Sequence, residues 1–313
     1  MVKKKVPKLI KEIKKTVFPP IEYATQKSIS YSQISMFHTC PHRWKLTYKD
    51  GHKLRDINIH LVFGTALHET LQLYLTTIYE ENIVKADKLD LEEHFKKTLR
   101  EEYQKSFIKN KKQHFSSSIE LREFYEDGIE IIKFVKKKRG EYFSKRGWWI
   151  AGCEIPLQLP VNNAYNNVIF TGYLDVVLYH EPTNTIKIID IKTSTRGWNK
   201  KTKADDLKNT QLITYKKYFS EQYNFPIDNI EIEFFIVKRK IYDSEWGDRR
   251  IQIHVPASGK VKINKSKNLI EEFVTNSFDK KGKYKDGDYP KRPSQYNCSF
   301  CPFNDRSDLC DKK

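Results

Sequence analysis

Two neighbouring apolar segments, each carrying one aspartate, constrain this chain more than any other feature. The segments Thr171–Tyr179 and Ile186–Lys192 are rich in β-branched and aromatic residues, and the Pro and Asn residues between them predict a turn. Both faces of the resulting hairpin are apolar, which is typical of strands that are covered on both sides. The sequence therefore predicts a buried strand pair in an α/β protein.

The same hairpin brings charged side chains together. A turn centred on Pro182 and Thr183 aligns Asp175 with Asp190. Lys192 then lies on the same face as Asp190, two residues further along the strand. Opposed like charges destabilise a strand pair, and a divalent cation such as Mg²⁺ or Mn²⁺ would remove that penalty. Two carboxylates and a lysine on one face outline a metal-dependent site for phosphodiester cleavage. The alternative is a solvated polar face.

The charge of the chain indicates the kind of partner. Its 313 residues include 57 Lys and Arg against 40 Asp and Glu, a net charge of +17, which favours a polyanion such as nucleic acid. The alternative is a basic protein without such a partner. Residues 1–27 begin with a lysine-rich run that lacks the apolar core of a secretory signal, so we predict a mobile basic arm there. No membrane partner is expected, and the predicted location is intracellular, in the cytoplasm or on the nucleoid.

The remaining patterns predict one domain over residues 28–313. It would consist of a helical part at about 28–145, a sheet core at about 148–255 and a C-terminal cysteine segment at about 256–313. A capping box from Ser30 to Gln33 predicts the start of the first helix. Helices are predicted at about 30–39, 63–81, 91–109, 119–139, 204–223 and 265–278, and strands at about 149–159, 168–179, 186–192, 230–237 and 251–255. The helices at 91–109 and 119–139 are expected to face solvent as an insertion. The fold class is α/β, with a central mixed β-sheet flanked by helices.

Four of the five cysteines form a pattern typical of metal ligands. Cys298, Cys301 and Cys310 are clustered near the C-terminus, and Cys40 comes far earlier at the predicted end of a helix. Four thiolates are equally suited to a [4Fe–4S] cluster and to a structural Zn²⁺ ion, and spacing does not separate the two. Disulfides are the weaker alternative, because the number of cysteines is odd and nothing indicates secretion. Cys153 is interpreted as an ordinary buried thiol.

Several short motifs occur in a recognisable order. They are S-Y-S-Q-I and C-P-H-R-W between Ser30 and Trp44, G-T-A-L-H at Gly64–His68, G-Y-L-D at Gly172–Asp175, D-I-K-T-S at Asp190–Ser194, Gln211 with Tyr215, and the cysteine triplet. This set resembles the PD-(D/E)xK superfamily of nucleases, in its RecB-like iron–sulfur exonuclease branch, which includes the CRISPR-adaptation exonuclease and phage relatives. The resemblance covers about residues 28–310. It implies a restriction-endonuclease-like core whose N- and C-terminal segments are joined by a cysteine-ligated [4Fe–4S] cluster.

The resemblance also implies roles for individual residues. The metal would be held by four groups: His68, Asp175, Asp190 and the backbone carbonyl of Ile191. Lys192 would orient or deprotonate the attacking water, or stabilise the charge that develops on the phosphate; a salt bridge to Asp190 is the alternative. Further candidates are Glu154, for a second metal position, and Gln211 with Tyr215, for contact with the strand that is cut. Cys40, Cys298, Cys301 and Cys310 would bind the cluster.

The resulting hypothesis is a Mg²⁺- or Mn²⁺-dependent DNA exonuclease that acts on single-stranded ends. Trp148, Trp149 and Trp198 lie near basic runs, which suits the stacking of unpaired bases, although a place in the core is the alternative. Two other functions stay open. One is a catalytically silent nucleic-acid-binding module with structural zinc. The other is a subunit, or a homo-oligomer, that works within a recombination, repair or CRISPR-adaptation complex.

Overall fold

A six-stranded mixed β-sheet between two layers of helices forms the centre of the computed structural model, which describes residues 5–52, 57–241 and 249–311. The strands are β1 (Lys27–Ile29), β2 (Trp148–Pro160), β3 (Val168–His180), β4 (Thr185–Ser194), β5 (Ile230–Lys238) and β6 (Ile251–His254). The helices are α1 (Lys8–Lys15), α2 (Tyr31–Thr39), α3 (Pro41–Trp44), α4 (Ile59–Glu80), α5 (Ile83–Asp87), α6 (Leu91–Lys109), α7 (Ser118–Tyr142), α8 (Lys200–Lys203), α9 (Asp206–Gln222), α10 (Lys260–Ser277) and α11 (Gln295–Ser299).

Strand pairing makes the sheet mixed. Strands β2, β3 and β4 pair antiparallel in chain order, and β6 pairs antiparallel with β5. Strands β4 and β5 run parallel, so the chain crosses over between them through α9, as in a βαβ unit. The short β1 lies parallel to the start of β3. This arrangement confirms the predicted α/β class with a mixed central sheet and is consistent with a restriction-endonuclease-like fold.

Each face of the sheet has its own apolar core. One core lies between the sheet and α2, α9 and α10, and includes Phe170, Phe219 and Phe273. The other lies between the sheet and α4, α6 and α7, and includes Phe95 and Phe124. The prediction of a solvent-facing insertion at 91–109 and 119–139 is therefore wrong. Although nearly half of the residues of α6 and α7 are charged, each helix keeps one apolar stripe, and the two stripes complete the core around α4.

The N-terminal segment is partly packed, in contrast to the mobile arm expected over residues 1–27. Helix α1 buries Ile10 and Ile13 in the core that also contains β2. These two residues are three apart and share one helix face, while the lysines of α1 face outward. Residues 1–4 of the expected arm lie outside the described residues. Across the described ranges, no helix has the length and apolarity that a membrane crossing requires.

The start of α2 differs from the predicted capping box. Helix α2 begins after Ser30, as expected, but the Ser30 side chain makes no capping hydrogen bond. The side chain of Gln33 points inward, where its amide donates to the carbonyl of Ser28 and its oxygen accepts from the indole of Trp44 at 3.4 Å. Gln33 is buried, so it satisfies interior polar groups rather than the helix end. The predicted helix at about 204–223 is confirmed as α9 (Asp206–Gln222), and the short α8 (Lys200–Lys203) precedes it.

Candidate nuclease site

The observed strand register leads to the two aspartates. Pairing of β3 with β4 runs from His180 opposite Thr185 to Val176 opposite Ile189 and ends there, one residue before Asp175 and Asp190. The carboxylate of Asp175 accepts a hydrogen bond from the backbone N–H of Ile191 at 2.7 Å. This contact fixes Asp175 beside the strand that carries Asp190 and Lys192.

The sheet is distorted at Asp175. Leu174 packs in the α9-side core, whereas Val176 packs in the α4-side core, so the regular alternation of faces breaks between them. On the neighbouring strand β2, Glu154 lies opposite this position and has a left-handed backbone, with φ of 51°. A positive φ is uncommon for a residue other than glycine and is concentrated at functional sites. The irregularity lets Asp175 contact α4 as well as β4.

Asp190 is almost completely buried beside Lys192. Its residue is 2% exposed, and Lys192 Nζ lies 2.8 Å from Asp190 Oδ2. Lys192 is the ion-pair partner of that oxygen, although the contact lacks the angles of a regular hydrogen bond. Burial raises the pKa of Asp190, although Lys192 opposes the rise. Burial would lower the pKa of Lys192, but Asp190 and Asp175 raise it on balance, so the lysine is a cation.

The environment of Asp175 disfavours the ionised form of its carboxyl group. Burial and the nearby charge of Asp190 raise the pKa of Asp175 to about 8, although Lys192 and the Ile191 N–H act in the opposite direction. Two adjacent buried carboxyls share a single lysine, so one of them tends to retain a proton. A divalent cation would replace that proton with two positive charges.

His68 approaches Asp175 and Asp190 from the helix layer that contains α4. It lies on α4, with Nδ1 3.6 Å from Asp175 Oδ2, and its ring interacts with the backbone of Ile191. Burial and the charge of Lys192 lower the pKa of His68 to about 4, which leaves a neutral imidazole at neutral pH. Gly64 allows this approach, because a Cβ at that position would lie 3.3 Å from the Thr193 hydroxyl.

Gln72 is a residue of the site that the sequence motifs did not identify. Its side-chain amide donates to Glu154 Oε1 at 2.6 Å and to the backbone carbonyl of Asp175 at 3.0 Å. It therefore joins α4, β2 and β3 at the point of distortion. The signal in the sequence was its spacing, since Gln72 follows His68 by four residues and so shares its helix face.

Gln211 and Tyr215 close the site from α9. The Gln211 amide donates to the Tyr215 hydroxyl at 3.3 Å. Tyr215 is buried, and burial together with the charges of Asp190 and Asp175 raises its pKa. Gly172 makes room for its ring, because a Cβ there would be 3.0 Å from Tyr215 Cε1. The motif glycine on β3 and the motif tyrosine on α9 are thus in contact.

The sheet, α4 and α9 therefore bring together every residue that was predicted for the metal and its surroundings. Within the described ranges, no set of three or more His, Cys, Asp or Glu side chains is arranged as a preformed metal site. The donor chemistry nevertheless fits a hard divalent cation, because two neighbouring carboxylates share one lysine and a neutral imidazole lies beside one of them.

The four predicted ligand cysteines surround one small cavity of about 30 Å³. They are Cys40, Cys298, Cys301 and Cys310, and each is a free thiol. Hydrogen bonds join the N- and C-terminal segments around them. The Asn297 amide donates to the carbonyl of Thr39 at 3.2 Å, and the Arg292 guanidinium donates to the carbonyl of His38 at 2.6 Å. The structure thus brings Cys40 to the triplet, while a metal-ligating geometry is absent from the described residues.

The tryptophans are packed within the protein instead of forming an open stacking surface. Trp198 lies against Phe234, with ring centroids 4.8 Å apart, and Trp148 lies against His180 at 4.8 Å. The indole N–H of Trp149 donates to Glu181 at 3.1 Å. These contacts favour the structural alternative for all three residues.

Comparison with protein families gives a match to the PD-(D/E)XK nuclease superfamily over residues 28–306. A comparison with curated proteins found no match. The family match spans α2 to the C-terminal cysteine segment and includes the whole sheet. Nucleases of this family typically use Mg²⁺ or Mn²⁺, in agreement with the chemistry of the site, and a member would bind DNA. The chain belongs to the PD-(D/E)XK nuclease superfamily.

Proposed function

We propose that this protein is a Mg²⁺- or Mn²⁺-dependent deoxyribonuclease that degrades single-stranded DNA from an end. One observation supports the proposal most directly. The buried Asp190 and the half-buried Asp175 lie side by side, with a single lysine as their cationic neighbour. Such an arrangement is costly for a folded protein unless a cation joins it.

The side chains have distinct tasks in this proposal. Asp175, Asp190, His68 and the carbonyl of Ile191 would hold the cation, and its presence would lower the pKa of a water molecule and offset charge on the phosphate. The charged Lys192, held by Asp190, is positioned to donate to a phosphate oxygen as that oxygen gains negative charge.

Gln72 would act as a positioning residue. Its two hydrogen bonds hold Glu154 and the backbone of Asp175 in the distorted segment. Glu154 is exposed beside the buried pair, where it can receive a proton from water or contribute to a second cation position. Gln211 and Tyr215 would contact the strand that is cut.

The cysteine cavity supports a second element of the proposal, a structural [4Fe–4S] cluster or a Zn²⁺ ion. Four thiols from the N- and C-terminal parts of the chain line one cavity, and none of the four forms a disulfide. Cys40 lies directly after α2, so the bound group would join α2 to the C-terminal segment. Metal analysis and the visible absorption of anaerobically purified protein distinguish iron–sulfur from zinc.

The decisive test is digestion of end-labelled linear single-stranded, linear duplex and circular single-stranded DNA, with Mn²⁺ or with EDTA. We expect metal-dependent loss of linear single strands, and persistence of circles. Asp190→Asn should abolish cleavage, whereas Asp228→Asn, which changes an exposed carboxylate in the turn between α9 and β5, should not.

Other outcomes would change the assignment in defined ways. Cleavage of circles would show an endonuclease and refute the requirement for an end. Binding of DNA without cleavage in any metal would refute an autonomous nuclease and favour the silent binding module. Cleavage that appears only with a partner protein would favour a subunit of a recombination, repair or CRISPR-adaptation complex.

A further inference from the structure

A groove of about 410 Å³ opens beside Lys192, between α2 and the beginning of α9. A hydrogen bond joins the two helices beside the groove, since the Tyr31 hydroxyl on α2 donates to the backbone carbonyl of Leu207 on α9. The lining combines cations and hydroxyl groups and contains no carboxylate: Tyr31, Ser32, Ser35, Met36, Thr39, Arg43, Lys192, Leu207, Lys208 and Gln211. A surface with this composition is suited to an anion rather than to a cation or an apolar ligand.

Arg43 is the residue that most needs a partner there. Its Nε is buried and makes no hydrogen bond, and no carboxylate within the described residues pairs with its guanidinium. Two other arginines have acidic partners; Arg139 pairs with Asp87 at 2.9 Å and Arg239 with Asp127 at 2.6 Å, although Arg239 Nε likewise makes no hydrogen bond. Arg43 differs from both because no described carboxylate neutralises its guanidinium, which favours an anionic ligand. Phosphate matches the planar guanidinium group of Arg43 well, because the group can donate two parallel hydrogen bonds to it.

Lys208 supplies a second cation on the opposite wall. Lys208 is exposed on α9, and its Nζ lies 5.6 Å from the centre of the Trp198 ring, which restrains the chain of the lysine. No carboxylate among the described residues pairs with it. Ser32 and Ser35 on α2 face the same groove and can donate hydroxyl hydrogen bonds. The groove therefore has donors on both walls.

We infer that this groove binds backbone phosphate of the strand next to the bond that is cut, with Arg43 and Lys208 as the principal contacts. The inference rests on the proposed nuclease function and adds the path of the substrate. The strand passes from Lys192 along α2 toward the cysteine cavity, which Arg43 also lines. These contacts read no base, so binding is independent of sequence.

The position of Arg43 between groove and cavity provides the rival explanation. Arg43 could instead neutralise thiolates at the cysteines, since its charge opposes the rise in pKa that burial causes at Cys301. Lys208 separates the two explanations, because it lines the groove but not the cysteine cavity. A phosphate role requires both cations, whereas a role at the cysteines requires Arg43 alone.

The test measures binding of a fluorescent single-stranded oligonucleotide to Asp190→Asn protein in EDTA, over a range of salt concentrations. Arg43→Gln and Lys208→Gln should each weaken binding by roughly tenfold, and each should reduce the slope of log affinity against log salt by about 0.7. Lys109→Gln, an exposed lysine at the end of α6, is the matched control and should change both values much less.

A chemical probe locates the contact. Oligonucleotides in which one phosphate at a time is replaced by a neutral methylphosphonate should show one position where the reference protein loses affinity. That loss should disappear in Arg43→Gln, because the contact is already gone. Ser35→Glu, which adds a carboxylate to the groove and leaves Arg43 in the sequence, should weaken binding as well.

Three results would overturn the inference. In the first, Lys208→Gln and Ser35→Glu bind like the reference, and Arg43→Gln loses only bound iron or zinc, which assigns Arg43 to the cysteines. In the second, wild-type protein cleaves DNA but all groove variants bind normally, which refutes the groove and leaves the nuclease standing. In the third, wild-type protein neither binds nor cleaves DNA, which refutes both.

Discussion

Asp175→Asn should stabilise the metal-free protein, because the folded state holds this carboxyl in surroundings that disfavour its charge. Its side chain is 15% exposed, and its pKa is raised from 3.8 to about 8 by burial and by Asp190. Each pH unit between these two values corresponds to about 1.4 kcal/mol of differential stability. At pH 7 the folded carboxyl keeps its proton while that of the unfolded chain ionises, which lowers the stability of the folded protein by up to about 4 kcal/mol. We therefore expect a gain of about 2–4 kcal/mol in the variant. The amide oxygen can keep the hydrogen bond from Ile191.

The sign of the pH dependence follows from the direction of the shift. A carboxyl whose pKa is higher in the folded state leaves stability intact below its unfolded pKa and removes stability as pH rises toward its folded pKa. The advantage of Asp175→Asn should thus be small near pH 4 and should grow by at most about 1.4 kcal/mol per pH unit up to about pH 8.

Urea denaturation in EDTA at several pH values measures this effect. Asp228→Asn is the control, because this exposed carboxylate should shift stability by less than about 0.5 kcal/mol without a trend in pH. Addition of Mg²⁺ or Mn²⁺ should raise the melting temperature of the wild type more than that of Asp175→Asn. The interpretation of a strained acidic pair would be refuted if Asp175→Asn were no more stable than the wild type at pH 7 and the difference in stability did not grow toward pH 8.

Three further predictions concern separate parts of the site. Lys192→Ala should slow cleavage by about 10²–10³-fold in single-turnover assays with saturating metal, since the charge beside the phosphate is lost. A normal rate would show that Lys192 has no role in cleavage. Gly172→Ala should destabilise the protein by about 1–2 kcal/mol in urea, because its Cβ would lie 3.0 Å from the buried Tyr215 ring, whereas Gly287→Ala, with open space around it, should not. Cys298→Ala should lose bound iron or zinc and melt at a lower temperature than wild type; full metal content would remove this cysteine from the ligand set.

The hairpin could be predicted because its turn and its strands are both encoded locally. The turn residues set the register, and the observed pairing of Val176 with Ile189 agrees with it. The apolar residues on both faces predict a buried strand pair, but they do not fix its register. The break in alternation at Asp175 could not be predicted in the same way. It depends on the left-handed backbone of Glu154 on another strand, which no local pattern in β3 encodes. Simple alternation would place Leu174 on the same face as Val176, whereas the two residues pack in different cores.

Residues outside motifs were accessible only through geometry. Gln72 lies outside every motif, and its partner Glu154 is distant in sequence. Arg43 lies within C-P-H-R-W, but the motif assigns it no role, and only the groove gives it one. The solvent-facing assignment of α6 and α7 was wrong for a related reason. Their average composition is charged, and composition hides an apolar stripe that matters only once α4 is placed beside it.

Helix α2 connects the two unusual parts of this molecule. Its first turn lines the groove beside Lys192, and its last residue precedes Cys40 at the cysteine cavity. The opposite wall of the groove belongs to α9, and both helices pack in the same core on the sheet. A bound group at the cysteines would add a further attachment at the end of α2 and so would restrain one wall of the groove. The acidic pair sits on central strands, where both cores hold it without help from the cysteines. On the proposal that the substrate strand follows the groove, the fold separates the chemistry at Asp190 from the path of that strand.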